Sequence, residues 1–189
     1  MSSKLTFLIV HGAYGNPEGN WFVWLKAKLE KSGHIVFAPT FPTPEGQDFN
    51  NWLRVSKATL ANHLPEKTVL IGHSTGSIFV LRLAEQTKQP YKAVFSVCPF
   101  AVDLGLPEFD PLNASFIYPA FNWEHVKAGA RNIYCLAGDN DPYVPLSASQ
   151  RVAEAIDSQL TIVPNGGHLN ADTGYREFPL LLEKIQENL

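Results

Sequence analysis

The sequence predicts an α/β fold, a three-layer α/β/α sandwich around a mainly parallel, six-stranded sheet. Six short apolar runs do not alternate with polar residues, which is typical of parallel strands covered on both faces. Segments with helical spacing separate these runs, so each strand is expected to reach the next by a crossover connection. The 189 residues contain no internal repeat, low-complexity tract or linker, and we expect one domain over residues 1–189.

The composition excludes several classes of protein. The chain is 45% hydrophobic and 17% charged, which excludes disorder. A net charge of −3 provides no basic field, so neither nucleic acid nor a membrane is expected as a partner. Cys98 and Cys135 lie in apolar runs and are expected in the core, not in a disulfide or zinc site. The first apolar run is too short for a signal peptide or membrane span, which predicts a cytoplasmic protein.

The predicted strands are rich in Val, Ile, Leu and Phe. They cover residues 5–10, 35–39, 68–71, 93–97, 132–137 and 160–163. Apolar residues at helical spacing mark helices within 21–29, 49–60, 75–87, 147–156 and 178–189. Asp48 is expected to cap the second helix, and Ser147 with Gln150 to form a capping box at the fourth. Gly33 ends the first helix, and Pro179 lies near the start of the last.

The segment 101–130 interrupts this alternation. It carries three prolines and little periodicity, and we expect at most one helical turn near residues 122–127. The aromatic residues Phe116, Phe121 and Trp123 are the candidates in it that could fold over a site. Segment 101–130 is too short to form a large lid over a pocket, so we expect small substrates or substrates with short acyl chains.

Ser74 is the candidate nucleophile. It lies at the centre of Gly72-His73-Ser74-Thr75-Gly76, a G-x-S-x-G sequence between a predicted strand and an apolar helix. Side chains two positions either side of such a tight turn would clash, and glycine at both places removes that clash. The helix N-terminus behind Ser74 favours developing negative charge.

His168 is the candidate general base. It follows the last predicted strand, and the carboxyl ends of parallel strands gather at one edge of the sheet. The acid is expected between Ser74 and His168 in the sequence. Asp139 and Asp141 both follow the fifth strand; Asp139 could instead cap the turn, whereas Pro142 holds the backbone at Asp141. These considerations favour Asp141 and leave Asp139 open.

The loops after other strands supply further candidates. Gly12 ends the first strand, and the backbone N–H groups of Ala13 and Thr75 could form an oxyanion hole. Tyr14, Phe100 and Tyr143 follow strands and could line a substrate-binding acyl pocket, although aromatic residues are as often part of the core. No H-E-x-x-H, G-x-G-x-x-G or P-loop sequence is present, so neither a metal nor another cofactor is expected.

The segments GHSTG, GDNDPYVP and NGGHLN resemble the α/β-hydrolase superfamily. HGAYGNPEGNWFVWL, the D-P-x-V-P sequence and GGHLNADTGY are similar to the compact RBBP9/YdeN serine hydrolase family, over nearly the whole chain. This resemblance implies that the acid is the aspartate before the proline, Asp141, and it supports Ser74 and His168. Mammalian members were named for retinoblastoma-protein binding through an L-x-C-x-E motif, which this chain lacks, so that role is not expected.

These features predict a serine hydrolase that cleaves small carboxylic esters through Ser74, His168, Asp141 and an acyl-enzyme. Amides and thioesters are the alternative substrates, and acyl transfer or lyase chemistry is a lesser alternative for the same residues. A different class of function also stays open: a binding or interaction protein on a hydrolase scaffold, with little turnover.

Overall fold

The six strands form a single parallel sheet in a computed structural model that describes residues 4–189. The strands are β1 (Thr6–Val10), β2 (Ile35–Phe37), β3 (Thr68–His73), β4 (Ala93–Val97), β5 (Ile133–Gly138) and β6 (Leu160–Val163). Their order is β2-β1-β3-β4-β5-β6, and every neighbouring pair is parallel. All six predicted strands are present, with ends that differ by at most two residues.

Helices cover both faces of the sheet, as predicted. They are α1 (Phe22–Lys31), α2 (Phe49–Thr59), α3 (Thr75–Gln86), α4 (Asp110–Ile117), α5 (Trp123–Ala128), α6 (Leu146–Ala155) and α7 (Pro179–Glu187). One core cluster lies between the sheet and helices α1 and α7, and the other lies between the sheet and helices α2 to α6.

Alternating side chains of each strand supply these two cores. In β1, Phe7 and Ile9 pack into the first cluster, whereas Leu8 and Val10 pack into the second. All four are at most 2% exposed. Burial on both faces explains why the strands read as continuous apolar runs, because neither face is free to carry polar residues.

Two local predictions are wrong. The segment 101–130 contains α4 as well as the expected turn, which is α5. In α4 the buried residues Asn113, Phe116 and Ile117 do follow helical spacing, but one of them is polar, which hid the pattern. The capping box at α6 is also absent, because the helix begins at Leu146 behind Pro145 and no side chain caps it. Asp48, by contrast, accepts from the N–H groups of the first turn of α2.

The helices are short relative to a lipid bilayer. Over residues 4–189, none is long and apolar enough to cross a membrane.

Candidate active site

Ser74 occupies a sharp turn between β3 and α3. Its backbone has φ 57° and ψ −123°, a left-handed conformation that costs a non-glycine residue of order 1–3 kcal/mol. The turn is also closely packed. A Cβ at Gly72 would lie 2.1 Å from the carbonyl oxygen of Gly76, and one at Gly76 would lie 2.4 Å from that of Val10. Only glycine fits at either position, which is the physical reason for the G-x-S-x-G spacing.

His168 and Asp141 form a buried hydrogen-bonded pair at the same edge of the sheet. Nδ1 of His168 lies 2.7 Å from Oδ2 of Asp141, and their side chains are 8% and 1% exposed. Oδ1 of Asp141 accepts from the N–H groups of Tyr143 at 2.9 Å and Val144 at 3.0 Å. Burial acts to raise the pKa of Asp141, but His168 and these two N–H groups outweigh burial and hold that pKa below its usual value.

Asp139 lies in the same loop but faces elsewhere. It is exposed, and its Oδ1 accepts from the N–H of Asn165 at 2.7 Å, which joins the β5 loop to the β6 loop. Asn140 does the same for Gly167, also at 2.7 Å. The two aspartates that sequence reasoning left as competitors therefore contact different groups, and Asp141 is the one against His168.

The backbone after β1 approaches Ser74 closely. A Cβ on Gly12 would lie 2.8 Å from Cβ of Ser74, so glycine is required there too. The next N–H, that of Ala13, donates to Oγ1 of Thr75 at 3.3 Å. Thr75 begins α3, so its own backbone N–H has no partner within the helix. The two predicted oxyanion-hole residues are thus in contact with each other, next to Ser74.

A cavity of about 280 Å³ opens over Ser74 and His168. Tyr14, Phe100 and Tyr143, the three aromatic residues predicted from the sequence, all line it. Phe100 is buried, whereas Tyr14 and Tyr143 are 47% and 39% exposed and form the rim. The ring of Tyr143 lies 5.0 Å from that of His168, between centroids, in an edge-to-face contact.

Several lining residues were not predicted. They are Gly15, Asn20, His73, Leu104, Leu106, Phe109, Asn113, Val144, Asn170 and Asp172. Four of them come from segment 101–130, which therefore does wall the site, although Phe116 and Phe121 are buried in the core. Phe109 joins the two rim tyrosines, with its ring 5.7 Å from Tyr14 and 5.8 Å from Tyr143. Asn170 and Asp172 could have been found from the sequence, because they lie two and four residues after His168 in the loop that follows β6.

Four of the other histidines lie away from the cavity. His11 is buried at the end of β1; its Nδ1 bonds to the carbonyl of Gly12 at 2.8 Å and its Nε2 accepts from the N–H of Phe41 at 3.0 Å. Burial lowers the pKa of His11. His34 and His63 bond near strand β1, and His125 is exposed on α5. None of these four lines the cavity.

One buried trio of potential metal ligands occurs among residues 4–189: His73, Cys98 and His168, whose ligand atoms lie within 4.8 Å of one another. Nε2 of His73 and Sγ of Cys98 both donate to the carbonyl oxygen of His168, at 2.8 and 3.5 Å. Burial raises the pKa of the Cys98 thiol well above its usual value, so it is protonated at neutral pH. Hydrogen bonding around this carbonyl therefore explains why the three side chains lie together.

The parallel sheet, the elbow that carries Ser74 and the His168–Asp141 pair define an α/β hydrolase fold. A model of the family described as serine hydrolase matches residues 7–187, and the chain belongs to that family. It is 33% identical to the rat protein serine hydrolase RBBP9 over 171 residues, 89% of each chain.

Solved structures agree with this assignment. The YdeN protein of Bacillus subtilis is 30% identical over 180 residues, which are 94% of this chain and 92% of YdeN. Its crystal structure superposes with a TM-score of 0.88, at 28% identity and 98% coverage of both chains. The structure of Est1E from Butyrivibrio proteoclasticus with bound ferulic acid gives a TM-score of 0.74, over 97% of this chain and 87% of that one. At 19% identity, that likeness shows the fold alone.

Proposed function

We propose that this serine hydrolase cleaves small carboxylic esters through a Ser74–His168–Asp141 triad and an acyl-enzyme. The observation that carries the proposal is the 2.7 Å hydrogen bond between Asp141 and Nδ1 of His168, a histidine that lines the same cavity as Ser74. That bond leaves Nε2 of His168 as the nitrogen that can take a proton from a serine hydroxyl.

In the proposed mechanism, Oγ of Ser74 attacks the ester carbonyl carbon while Nε2 of His168 takes the hydroxyl proton. Asp141 stabilises the imidazolium that forms, and its own lowered pKa keeps it ionised at neutral pH. His168 then delivers the proton to the leaving alcohol, and the acyl group stays on Ser74. Water, activated by His168 in turn, releases the carboxylic acid and restores the enzyme.

The N–H groups of Ala13 and Thr75 are proposed to hold the oxyanion. Without substrate, the Ala13 N–H donates to the Thr75 hydroxyl at a long 3.3 Å, which is a weak bond. A negatively charged oxygen is a stronger acceptor than this hydroxyl, so the N–H is expected to turn to the oxyanion as charge develops. The N-terminus of α3 adds its positive dipole end at the same point.

Covalent labelling with a fluorophosphonate tests the proposal. We expect one adduct on Ser74, no labelling of Ser74→Ala, and full labelling of the control Ser147→Ala, which changes an exposed serine on α6. In a parallel assay with 4-nitrophenyl acetate, the two proteins that are labelled, wild type and Ser147→Ala, should turn over the ester. Ser74→Ala should not. A folded wild-type protein that neither reacts nor turns over would favour the alternative, a binding protein on a hydrolase scaffold.

A further inference from the structure

Asn113 places a buried amide in the wall of the cavity. It lies on α4, is 2% exposed, and lines the cavity together with Ser74 and Thr75. The oxygen and the nitrogen of a largely buried side-chain amide are each expected to have a hydrogen-bond partner. The partners of the two ends differ.

The oxygen end is occupied. Oδ1 of Asn113 accepts from the hydroxyl of Thr75 at 2.7 Å and lies 3.5 Å from Nε2 of Gln47. The hydroxyl of Thr75 already accepts from the N–H of Ala13, so its proton is free to donate. Gln47 is oriented in turn by the hydroxyl of Thr43, which donates to its Oε1 at 2.6 Å. Two donors converge on one atom of Asn113, which identifies that atom as the oxygen.

The nitrogen end has no acceptor. Nδ2 of Asn113 makes no hydrogen bond to any residue that the structure describes. Among residues 4–189, the fully enclosed side-chain polar atoms without a partner are Oε2 of Glu66 and Nδ1 of His73. Nδ2 of Asn113 is not one of these enclosed atoms, so it retains some accessible surface. Because the Asn113 side chain lines the cavity, we take that surface to face the cavity.

The charge of the cavity limits what Nδ2 can bind. Among its lining residues, within the described part of the chain, Asp172 carries a carboxylate and none is a lysine or arginine. An anionic group would find no countercharge there, and it would meet Asp172. A neutral oxygen, of an ether, a ketone or a hydroxyl group, can accept from Nδ2 without that penalty.

We infer that Asn113 is a specificity-determining residue, which donates from Nδ2 to a neutral oxygen of the substrate other than the ester carbonyl. The preferred substrates are then esters that carry such an oxygen in the acyl or the alcohol part. This inference rests on the proposed ester hydrolysis and narrows its substrate class.

Matched ester pairs test the inference. The acyl pair is 4-nitrophenyl methoxyacetate and 4-nitrophenyl butyrate, and the alcohol pair is 2-methoxyethyl acetate and butyl acetate; each pair exchanges one CH₂ for an ether oxygen. The ratio of kcat/KM within a pair is compared between wild type and Asn113→Leu, so that intrinsic reactivity cancels. For at least one pair, we expect the preference for oxygen to fall about 3- to 10-fold in the variant, the value of one neutral hydrogen bond.

A second variant separates binding from packing. Asn113→Asp keeps the size of the side chain and an oxygen for Thr75, but it replaces the donor with an acceptor, and the same loss of preference is expected. If Asn113 had only a structural role, its replacement would lower kcat/KM equally for both esters of a pair. The inference is overturned if, for both pairs, the ratio of kcat/KM within the pair stays within twofold of the wild-type ratio in each variant that folds. If wild type is not labelled at Ser74 and hydrolyses none of the four esters, the proposed function itself fails.

Discussion

Nε2 of His73 donates a hydrogen bond to the carbonyl oxygen of His168 at 2.8 Å. The neighbour of the proposed nucleophile thus holds the backbone of the proposed base, 95 residues further along the chain. This bond fixes the proton of His73 on Nε2 and leaves Nδ1 enclosed without a partner, beside the rings of Trp21 and Phe22. The fixed contact keeps the loop after β6 against the elbow.

Acid is expected to destabilise the protein through His73. Burial, followed by the proximity of His168, lowers the pKa of His73 from 6.5 to about 3. Between these values the unfolded chain binds a proton that the folded protein refuses, so stability falls as pH falls through this window. The loss from this group between pH 7 and pH 5 is about 2 kcal/mol.

Urea unfolding at pH 7 and pH 5 measures this dependence. His73→Gln can still donate to the His168 carbonyl but cannot titrate. Between pH 7 and pH 5, its free energy of unfolding should therefore fall by about 2 kcal/mol less than that of wild type. His125→Gln, which alters an exposed histidine, should keep the wild-type dependence. An unchanged pH dependence in His73→Gln would contradict the assignment.

Asp141 and Asp139 are expected to differ sharply in their effect on turnover. Asp141→Asn should lower kcat about 10⁴-fold, because an amide would favour the wrong tautomer of His168. Asp139→Asn should cost far less, since Asp139 contacts the backbone of Asn165 in an exposed turn. Steady-state kinetics on one ester, with circular dichroism to confirm folding, compares them. A larger loss in Asp139→Asn would reverse the assignment.

Short acyl chains are expected to be the better substrates. A cavity of about 280 Å³ lies at the lower limit of small-molecule sites. Each methylene adds only about 0.8 kcal/mol, and only while it is buried, so chains that extend past the rim at Tyr14 and Tyr143 gain little. The measurement is kcat/KM for acetyl, butyryl, octanoyl and palmitoyl esters of one chromophore. A rise towards octanoyl or palmitoyl would refute the expectation.

Arg82 is expected to be essential for stability. Its guanidinium, buried in α3, donates to the carbonyl oxygens of Phe116 and Ile117 at 2.8 and 2.7 Å and pairs with Glu85 at 2.6 Å. Arg82→Met leaves these two carbonyl acceptors without a donor and removes the cation from the partly buried Glu85, at a cost of about 3–5 kcal/mol in urea unfolding. The exposed Arg151→Met should change stability by less than about 0.5 kcal/mol. If Arg82→Met lowers the free energy of unfolding no more than Arg151→Met does, the contact that Arg82 makes between α3 and α4 does not contribute to stability.

The sequence by itself was sufficient to predict the layers of the fold and the order of its strands along the chain. Strands buried on both faces must be continuously apolar, and most of the helices between them present one apolar face to the sheet, so both leave a local pattern. The elbow at Ser74 is only partly local: a side chain at Gly72 would clash with Gly76, four residues on, whereas one at Gly76 would clash with the carbonyl oxygens of Val10 and His11 at the end of β1.

Tertiary structure alone decided what surrounds Ser74. Asn113 belongs to a helix whose buried face is partly polar, and it reaches Thr75, 38 positions away, because α4 packs against α3 through Phe116 and the hydrogen bond from Arg82. Asp139 and Asp141 have the same charge and nearly the same neighbours in the sequence. Which carboxylate meets His168, 27 residues from Asp141, depends on how the loops after β5 and β6 pack together, since hydrogen bonds between distant segments leave no periodic trace in a sequence.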